Sequence, residues 1–343
     1  MHEAMLYSKE EDKKVYCRLC RHGCRISDGS YGICQVRYND AGTLYSIFYA
    51  KPVTIAVDPI EKKPLFHYKP GSQALSLATP GCNFRCDFCQ NWEISQYRAE
   101  GSPHITNLSE VLPQAVVAKA KSKGCASISY TYTEPTIFFE YAYDIAKLAV
   151  KEGIGNNFVT NGYMTRDALD AIHPNLHAAN VDLKAFRKDT YRKVMKAQLY
   201  GVLDSIRYMK QLGIWVEITT LVVPKMNDDP SELKDIANFI VETGREIPWH
   251  ISRFHPHYHM DDLPPTPLKT LEMAHKIGKE AGLRYVYMGN VPGDPSESTY
   301  CYNCNELLIE RKGFFVGNNK ITNKGLCPKC KTEIDGVDVG KVG

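Results

Sequence analysis

No run of about 18 or more uncharged apolar residues occurs in this 343-residue sequence, so no segment reads as a membrane-spanning helix. Charge of one sign is also in short supply. The formal net charge is +3, too small to argue for nucleic acid or an anionic membrane surface as a partner. The first 14 residues alternate acids and bases and lack the apolar stretch of a signal peptide, which makes a cytoplasmic location the expectation. A glycine-rich dinucleotide fingerprint and a phosphate-cradling loop are both missing, as are internal repeats and low-complexity tracts.

Cysteine is what the chain has in plenty. Four of the twelve fall at Cys17, Cys20, Cys24 and Cys34, three at Cys82, Cys86 and Cys89, and four at Cys301, Cys304, Cys327 and Cys330. In a reducing compartment, closely spaced thiols point to metal. The alternative, a secreted disulfide framework, needs a signal sequence and usually a much shorter chain. Cys125 stands alone, in or beside a predicted strand, and reads as a small core residue.

With 43% hydrophobic and 24% charged residues, the chain has an ordinary globular composition and is long enough for one large α/β domain with small appendages. Its middle alternates strand-like and helix-like segments. Strands are expected over 74–78, 126–132, 157–160, 179–183, 215–223, 250–254 and 284–288, and helices over 108–121, 136–151, 231–243 and 268–281. Such βα alternation makes a parallel sheet. Glu134, Asn161, Asp182 and His255 all sit at or just beyond a strand's carboxyl end, which favours a barrel over a doubly wound sheet. The expected organisation is an N-terminal cysteine-rich arm (1–73), with an irregular stretch at 58–71, then a barrel domain (74–295) and a metal-stapled tail (296–343).

The central thiols are spaced C-x3-C-x2-C directly after the first barrel strand. Three thiolates from one loop can ligate three irons of a cubane, and with no fourth cysteine nearby one iron stays open to a non-protein ligand. A structural zinc site borrowing Asp87 or a histidine is the competing reading. The loop, with Phe88 before the last cysteine, resembles the signature of the radical S-adenosylmethionine superfamily. That resemblance implies a partial (β/α)6 barrel and a [4Fe–4S] cluster whose open iron binds S-adenosylmethionine. It also implies reductive cleavage to a 5′-deoxyadenosyl radical, fed by a reduced flavodoxin- or ferredoxin-type protein.

Further pieces follow in the superfamily's order. Tyr132-Thr133-Glu134-Pro135 resembles the Gly-Gly-Glu segment that binds the methionine amino group, with both glycines replaced. Thr160-Asn161-Gly162 and Asp182-Leu183-Lys184 are similar to strand ends of glycyl radical activating enzymes, and in the second of these the carboxylate and ammonium groups contact the ribose and the methionine carboxylate. The resemblance thus makes Phe88, Glu134, Asn161, Asp182 and Lys184 cofactor-binding candidates. Over residues 1 to about 300, the Cys89–Gln96 run resembles the AmmeMemoRadiSam-type radical enzymes, relatives of pyruvate formate-lyase activating enzyme. From the residues alone, Arg253 and His255 are catalytic candidates, placed on one face by strand alternation.

The terminal groups differ from each other. Cys301-x2-Cys304, 22 residues, then Cys327-x2-Cys330 is the spacing of two facing zinc knuckles, with rubredoxin-like iron as the alternative. Cys17-x2-Cys20-x3-Cys24-x9-Cys34 suits zinc or a second [4Fe–4S] cluster. Three functions follow: hydrogen abstraction from a protein, modification of RNA or a small metabolite, or a non-catalytic metal scaffold.

Overall fold

The computed structural model describes residues 1–98, 105, 107–291 and 293–341. Its centre is one eight-stranded sheet. The strands are β1 (Thr54–Pro59), β2 (Gln73–Ala78), β3 (Ser127–Tyr130), β4 (Gly155–Thr160), β5 (Ala178–Asp182), β6 (Trp215–Val222), β7 (Trp249–Arg253) and β8 (Val286–Gly289). They lie side by side in sequence order. β1 and β2 are antiparallel, and every later neighbour pairs parallel.

Helices α1 (Pro113–Ser122), α2 (Phe139–Lys151), α3 (Arg166–Ile172), α4 (Leu199–Gln211), α5 (Pro230–Thr243) and α6 (Leu268–Ala281) follow β2 to β7 in turn. The result is six βα units closed by a seventh parallel strand, the partial barrel expected from sequence. Helices cover the outside, so strands such as β3 are buried along their whole length rather than on alternate residues.

Local chemistry sets the boundaries. Pro113 occupies the first turn of α1, where its missing N–H costs nothing, so the helix begins there and not at residue 108. The side chain of Asp229 accepts from the Ser231 and Glu232 amides to cap α5. The stretch 58–71 is only partly irregular, because β1 runs to Pro59 and a 3-10 turn occupies Ile60–Lys62. The first 73 residues are therefore joined to the barrel through a sheet edge.

Two small three-stranded sheets make up the rest of the N-terminal part: His2–Glu3, Thr43–Ser46 and Arg37–Asp40, then Tyr7–Lys9, Val15–Cys17 and Arg25–Ile26. A third, Thr299–Tyr300, Leu307–Lys312 and Phe315–Asn319, forms the tail, whose last two residues fall outside the described part. Among the described residues no helix is long and apolar enough to cross a membrane. All twelve cysteines are unbridged, against the disulfide framework.

Candidate active site

The loop after β2 is closed by a hydrogen bond of 2.8 Å from the Gly81 amide to the Ile94 carbonyl. Gly81 has φ +101°, and a Cβ there would lie 2.5 Å from Val36 Cγ1. Only glycine allows the N-terminal part to press so closely on this turn. Inside the loop the Phe84 amide donates to Cys82 Sγ at 3.4 Å, and Cys89 Sγ lies 3.2 Å from Ser95 Oγ. Burial pushes the Cys86 thiol up to about 12, against the pull of the Lys184 ammonium. A coordinated thiol is deprotonated outright, so metal would remove that burden.

The three cysteines share the wall of a ≈ 320 Å³ cavity with Phe88, Glu134, Asn161, Asp182 and Lys184. The cysteine loop and these polar residues end or follow four successive strands, β2 to β5, so the parallel register is what brings them together. Lys184 Nζ lies 2.8 Å from Asp182 Oδ2 and 5.7 Å from the centre of the Phe88 ring. Burial works against its charge, but the Asp182 carboxylate and the Cys86 sulfur hold its pKa above the ordinary lysine value. The pair is positioned to meet a zwitterion or a carboxylate, with the attraction strengthened by exclusion of water.

Glu134 is buried and heavily used. Its Oε1 accepts from the Thr136 amide (3.0 Å), the Thr136 hydroxyl (2.5 Å) and the Thr160 hydroxyl (2.7 Å), and its Oε2 from the Asn161 amide (2.8 Å). Burial still raises its pKa against those donors. It ties the end of β3 to the end of β4 and keeps one lone pair of Oε2 for a ligand. Asn161 Nδ2 donates to Asn83 Oδ1 at 2.7 Å, so the strand end also braces the cysteine loop.

The replaced glycines have a structural answer. Tyr132 adopts φ +66°, the left-handed backbone that glycine takes freely, and its carbonyl accepts from Asn91 Nδ2 at 2.9 Å. Its hydroxyl donates to Asp58, which also accepts from Lys62 (2.7 Å) and Lys63 (2.8 Å). Burial lowers Lys63 to about 8 against the attraction of Asp58. Lys62, Lys63 and Tyr132 line the cavity, as do Ser252 and Asn290 opposite. Sequence reading missed four of these and held Tyr132 only as part of the segment resembling Gly-Gly-Glu. A Lys-Lys pair in a loop has no periodicity to mark it.

Arg253 and His255 are not part of this wall. β7 ends at Arg253, so strand alternation does not extend to His255, which is exposed, and it is Ser252 that faces the cavity. Arg253 Nε donates to the Thr266 carbonyl at 2.9 Å. The loop beyond packs on the cysteine loop instead: the His259 amide donates to the Asp87 carbonyl (2.9 Å), and Tyr258 stacks on Trp92 at 5.3 Å.

At the C-terminus, Cys301 and Cys330 Sγ are 3.6 Å apart and Cys304 and Cys327 Sγ 3.7 Å. A tetrahedral ion with metal–sulfur bonds of about 2.3 Å needs sulfur–sulfur edges of about 3.8 Å, so these four could hold one zinc or iron ion. The tail lies on the approach to β8, where Arg284 meets Asp335 at 2.7 Å, and on His67, whose Nδ1 meets the Asp335 carbonyl at 2.7 Å. His67 and Phe66 amides donate to Glu217 near the start of β6, so this is the amino end of the barrel, away from the cavity.

Residues 76–240 match the family model described as the radical SAM superfamily. The chain is 47% identical over 340 residues to an uncharacterised protein of Methanocaldococcus jannaschii, MJ0808, covering 98% of this chain and 99% of that one. It is 26% identical to a putative glycyl-radical enzyme activating enzyme of the same organism (53% of this chain, 68% of the relative). It is 24% identical to the pyruvate formate-lyase-activating enzyme of Clostridium pasteurianum (50% and 72%). Among solved structures, Streptococcus suis SuiB bound to its precursor peptide SuiA matches with a TM-score of 0.50 at 13% identity, over 67% of this chain and 51% of that chain, a likeness of fold alone.

Proposed function

Because the chain belongs to the radical S-adenosylmethionine superfamily, we propose that Cys82, Cys86 and Cys89 hold a [4Fe–4S] cluster and that the enzyme uses it to abstract hydrogen from a protein substrate. The observation that supports this reading most is the convergence of three thiols and the Lys184–Asp182 pair on one cavity at the strands' carboxyl ends. Three thiolates suit a cubane with one iron left for an outside ligand. When bound, that cluster supplies the electron that cleaves the sulfonium C–S bond of S-adenosylmethionine.

This chain's own residues bind and orient. Lys184, steadied by Asp182, would bind the methionine carboxylate of S-adenosylmethionine, and the free lone pair of Glu134 would accept from its amino group. Asn161 presents its side chain beside the Cys82 loop, and Phe88 shields the Lys184 charge from water. Lys62 and Lys63, both held by Asp58, line the same cavity. The protein substrate follows from relatives named as activating enzymes. The tail lies at the far end of the barrel, which leaves the RNA reading without support. A reduced flavodoxin- or ferredoxin-type donor in a reducing cytoplasm suits twelve unbridged thiols.

Anaerobic reconstitution followed by dithionite and S-adenosylmethionine should release 5′-deoxyadenosine, and Cys86→Ser should abolish it. A single metal ion with four protein donors at this loop, or no 5′-deoxyadenosine from the wild type, overturns the reading. Mixing the reduced enzyme with a co-expressed glycyl radical protein should give a protein-centred EPR signal.

A further inference from the structure

We propose that Cys17, Cys20, Cys24 and Cys34 hold a second [4Fe–4S] cluster, set directly against the loop that carries Cys82, Cys86 and Cys89. The identity of this site stands on its own thiols; its use in electron transfer rests on the function proposed above.

Cys17 ends a strand, Cys20 bridges to Met164, Cys24 precedes Arg25–Ile26 and Cys34 lies in a turn, and Cys17, Cys24 and Cys34 pack in the same buried cluster as Cys86. The Cys17 amide donates to the Cys24 carbonyl at 2.9 Å, and the Gly23 amide closes a turn on the Cys20 carbonyl at 3.1 Å. Cys17 and Cys34 are buried, Cys20 and Cys24 are half-buried, and none of the four is bridged. The buried guanidinium of Arg37 acts on both Cys17 and Cys34, and its Nε has no partner among the described residues. An orphaned buried donor beside the thiols calls for an acceptor that the protein does not supply, such as a bridging sulfide.

Spacing separates a cluster from a single ion. Among the described residues, the C-terminal four cysteines are the one group of three or more metal-ligating residues whose ligand atoms all lie within 4.8 Å of one another. One tetrahedral ion demands that closeness, whereas a cubane places a separate iron behind each thiolate and holds the sulfurs farther apart. Neither the N-terminal four nor Cys82, Cys86 and Cys89 fall within that limit.

The site also touches the active-site loop. His22 Nε2 meets the Asn83 carbonyl at 2.8 Å, and Arg85 Nη2 donates to the Ile33 carbonyl at 2.5 Å. Gly81 approaches so closely that a Cβ would lie 3.2 Å from the Cys34 carbonyl oxygen. One electron from a reduced ferredoxin- or flavodoxin-type protein enters the second cluster and passes on to the first. No bond is made or broken, and the second cluster returns to its starting oxidation state.

The test is metal analysis and EPR of the reconstituted full-length protein. Cys20→Ser/Cys24→Ser should lower bound iron and sulfide by about four each, since a cubane holds four of both. The triple variant Cys82→Ala/Cys86→Ala/Cys89→Ala should keep about four irons and a dithionite-reduced signal that S-adenosylmethionine does not move. Zinc in place of iron in the triple variant, or loss of all its clustered iron, overturns the proposal. This holds even if the double variant fails to fold. Iron retained in the triple variant beside a wild type that makes no 5′-deoxyadenosine would sink the proposed function and leave the second cluster standing. For the electron path, the double variant should keep 5′-deoxyadenosine formation with dithionite and lose at least tenfold with the donor protein. An equal loss with both reductants refutes the relay.

Discussion

Arg37 and Glu140 face each other through two parallel hydrogen bonds of 2.7 Å, with each side chain only 1% exposed. Arg37 comes from the N-terminal part and Glu140 from the first turn of α2, and the same carboxylate accepts from the Met5 amide at 2.7 Å. The pair fastens the cysteine-rich arm to the barrel's outer layer.

Removing the charge on one side leaves the other buried alone. Glu140→Gln should lower the stability to urea by ~3 kcal/mol or more, because breaking a buried pair strands its partner. The exposed pair Lys121–Glu152 is the control: Glu152→Gln should leave the midpoint unchanged. An equal, small effect from both variants refutes the clamp.

Lys184 and Asp182 should act on binding rather than on the metal. Lys184→Met should weaken S-adenosylmethionine affinity by roughly ten- to a hundredfold, the worth of one charge-assisted contact in a dry site. Iron content should be unchanged. Titration of the S-adenosylmethionine-induced EPR change checks this, and an affinity within twofold of wild type would contradict it.

Acid should loosen the barrel floor through His67. Its Nδ1 donates to the Asp335 carbonyl and its Nε2 accepts from the Tyr287 hydroxyl, an arrangement complete with a neutral ring. Burial lowers its pKa from 6.5 to about 4, against the attraction of Glu217 and with Arg311 and His250 opposing the proton. The folded state therefore binds fewer protons than the unfolded one. Stability is kept above pH 6.5 and falls as the pH drops toward about 4, by on the order of 3 kcal/mol. Unfolding midpoints of wild type and His67→Gln, compared at neutral pH and at about pH 5, should show a shallower loss in the variant.

A metal ion held by Cys301, Cys304, Cys327 and Cys330 should serve stability alone. Cys304→Ser, or a strong chelator on the wild type, should lower the thermal midpoint by about 5 °C or more. The 5′-deoxyadenosine yield per folded molecule should not change. A fall in that yield at temperatures where the variant stays folded would show that the tail takes part in catalysis.

Much of the fold was legible because its signals are local and repeated. The βα alternation, the turn after residue 78 and the polar strand ends at Asn161 and Asp182 each appear in short windows. The cysteine groups carry their spacing openly. What stayed hidden depends on distant chain segments meeting. Lys62 and Lys63 reach the cavity only because β1 pairs with the barrel's first parallel strand, and nothing near them predicts that pairing. Tyr132 replaces a glycine while keeping a glycine-like backbone, which a motif comparison reads as loss. His255 failed to reach the cavity because alternation was carried past the end of a strand, and Arg253 because alternation gives the cavity face to its neighbour Ser252.

The plug under the barrel has one last consequence. Among the described residues, Phe66, His67, Glu217 and His250 fill the amino end with packed, hydrogen-bonded side chains. Traffic of the reagent, co-substrate and spent fragments of the proposed reaction then falls to the opposite rim, where the cavity lies. Where one rim serves them all, passage is sequential, and whichever molecule lodges deepest has to arrive first and depart last.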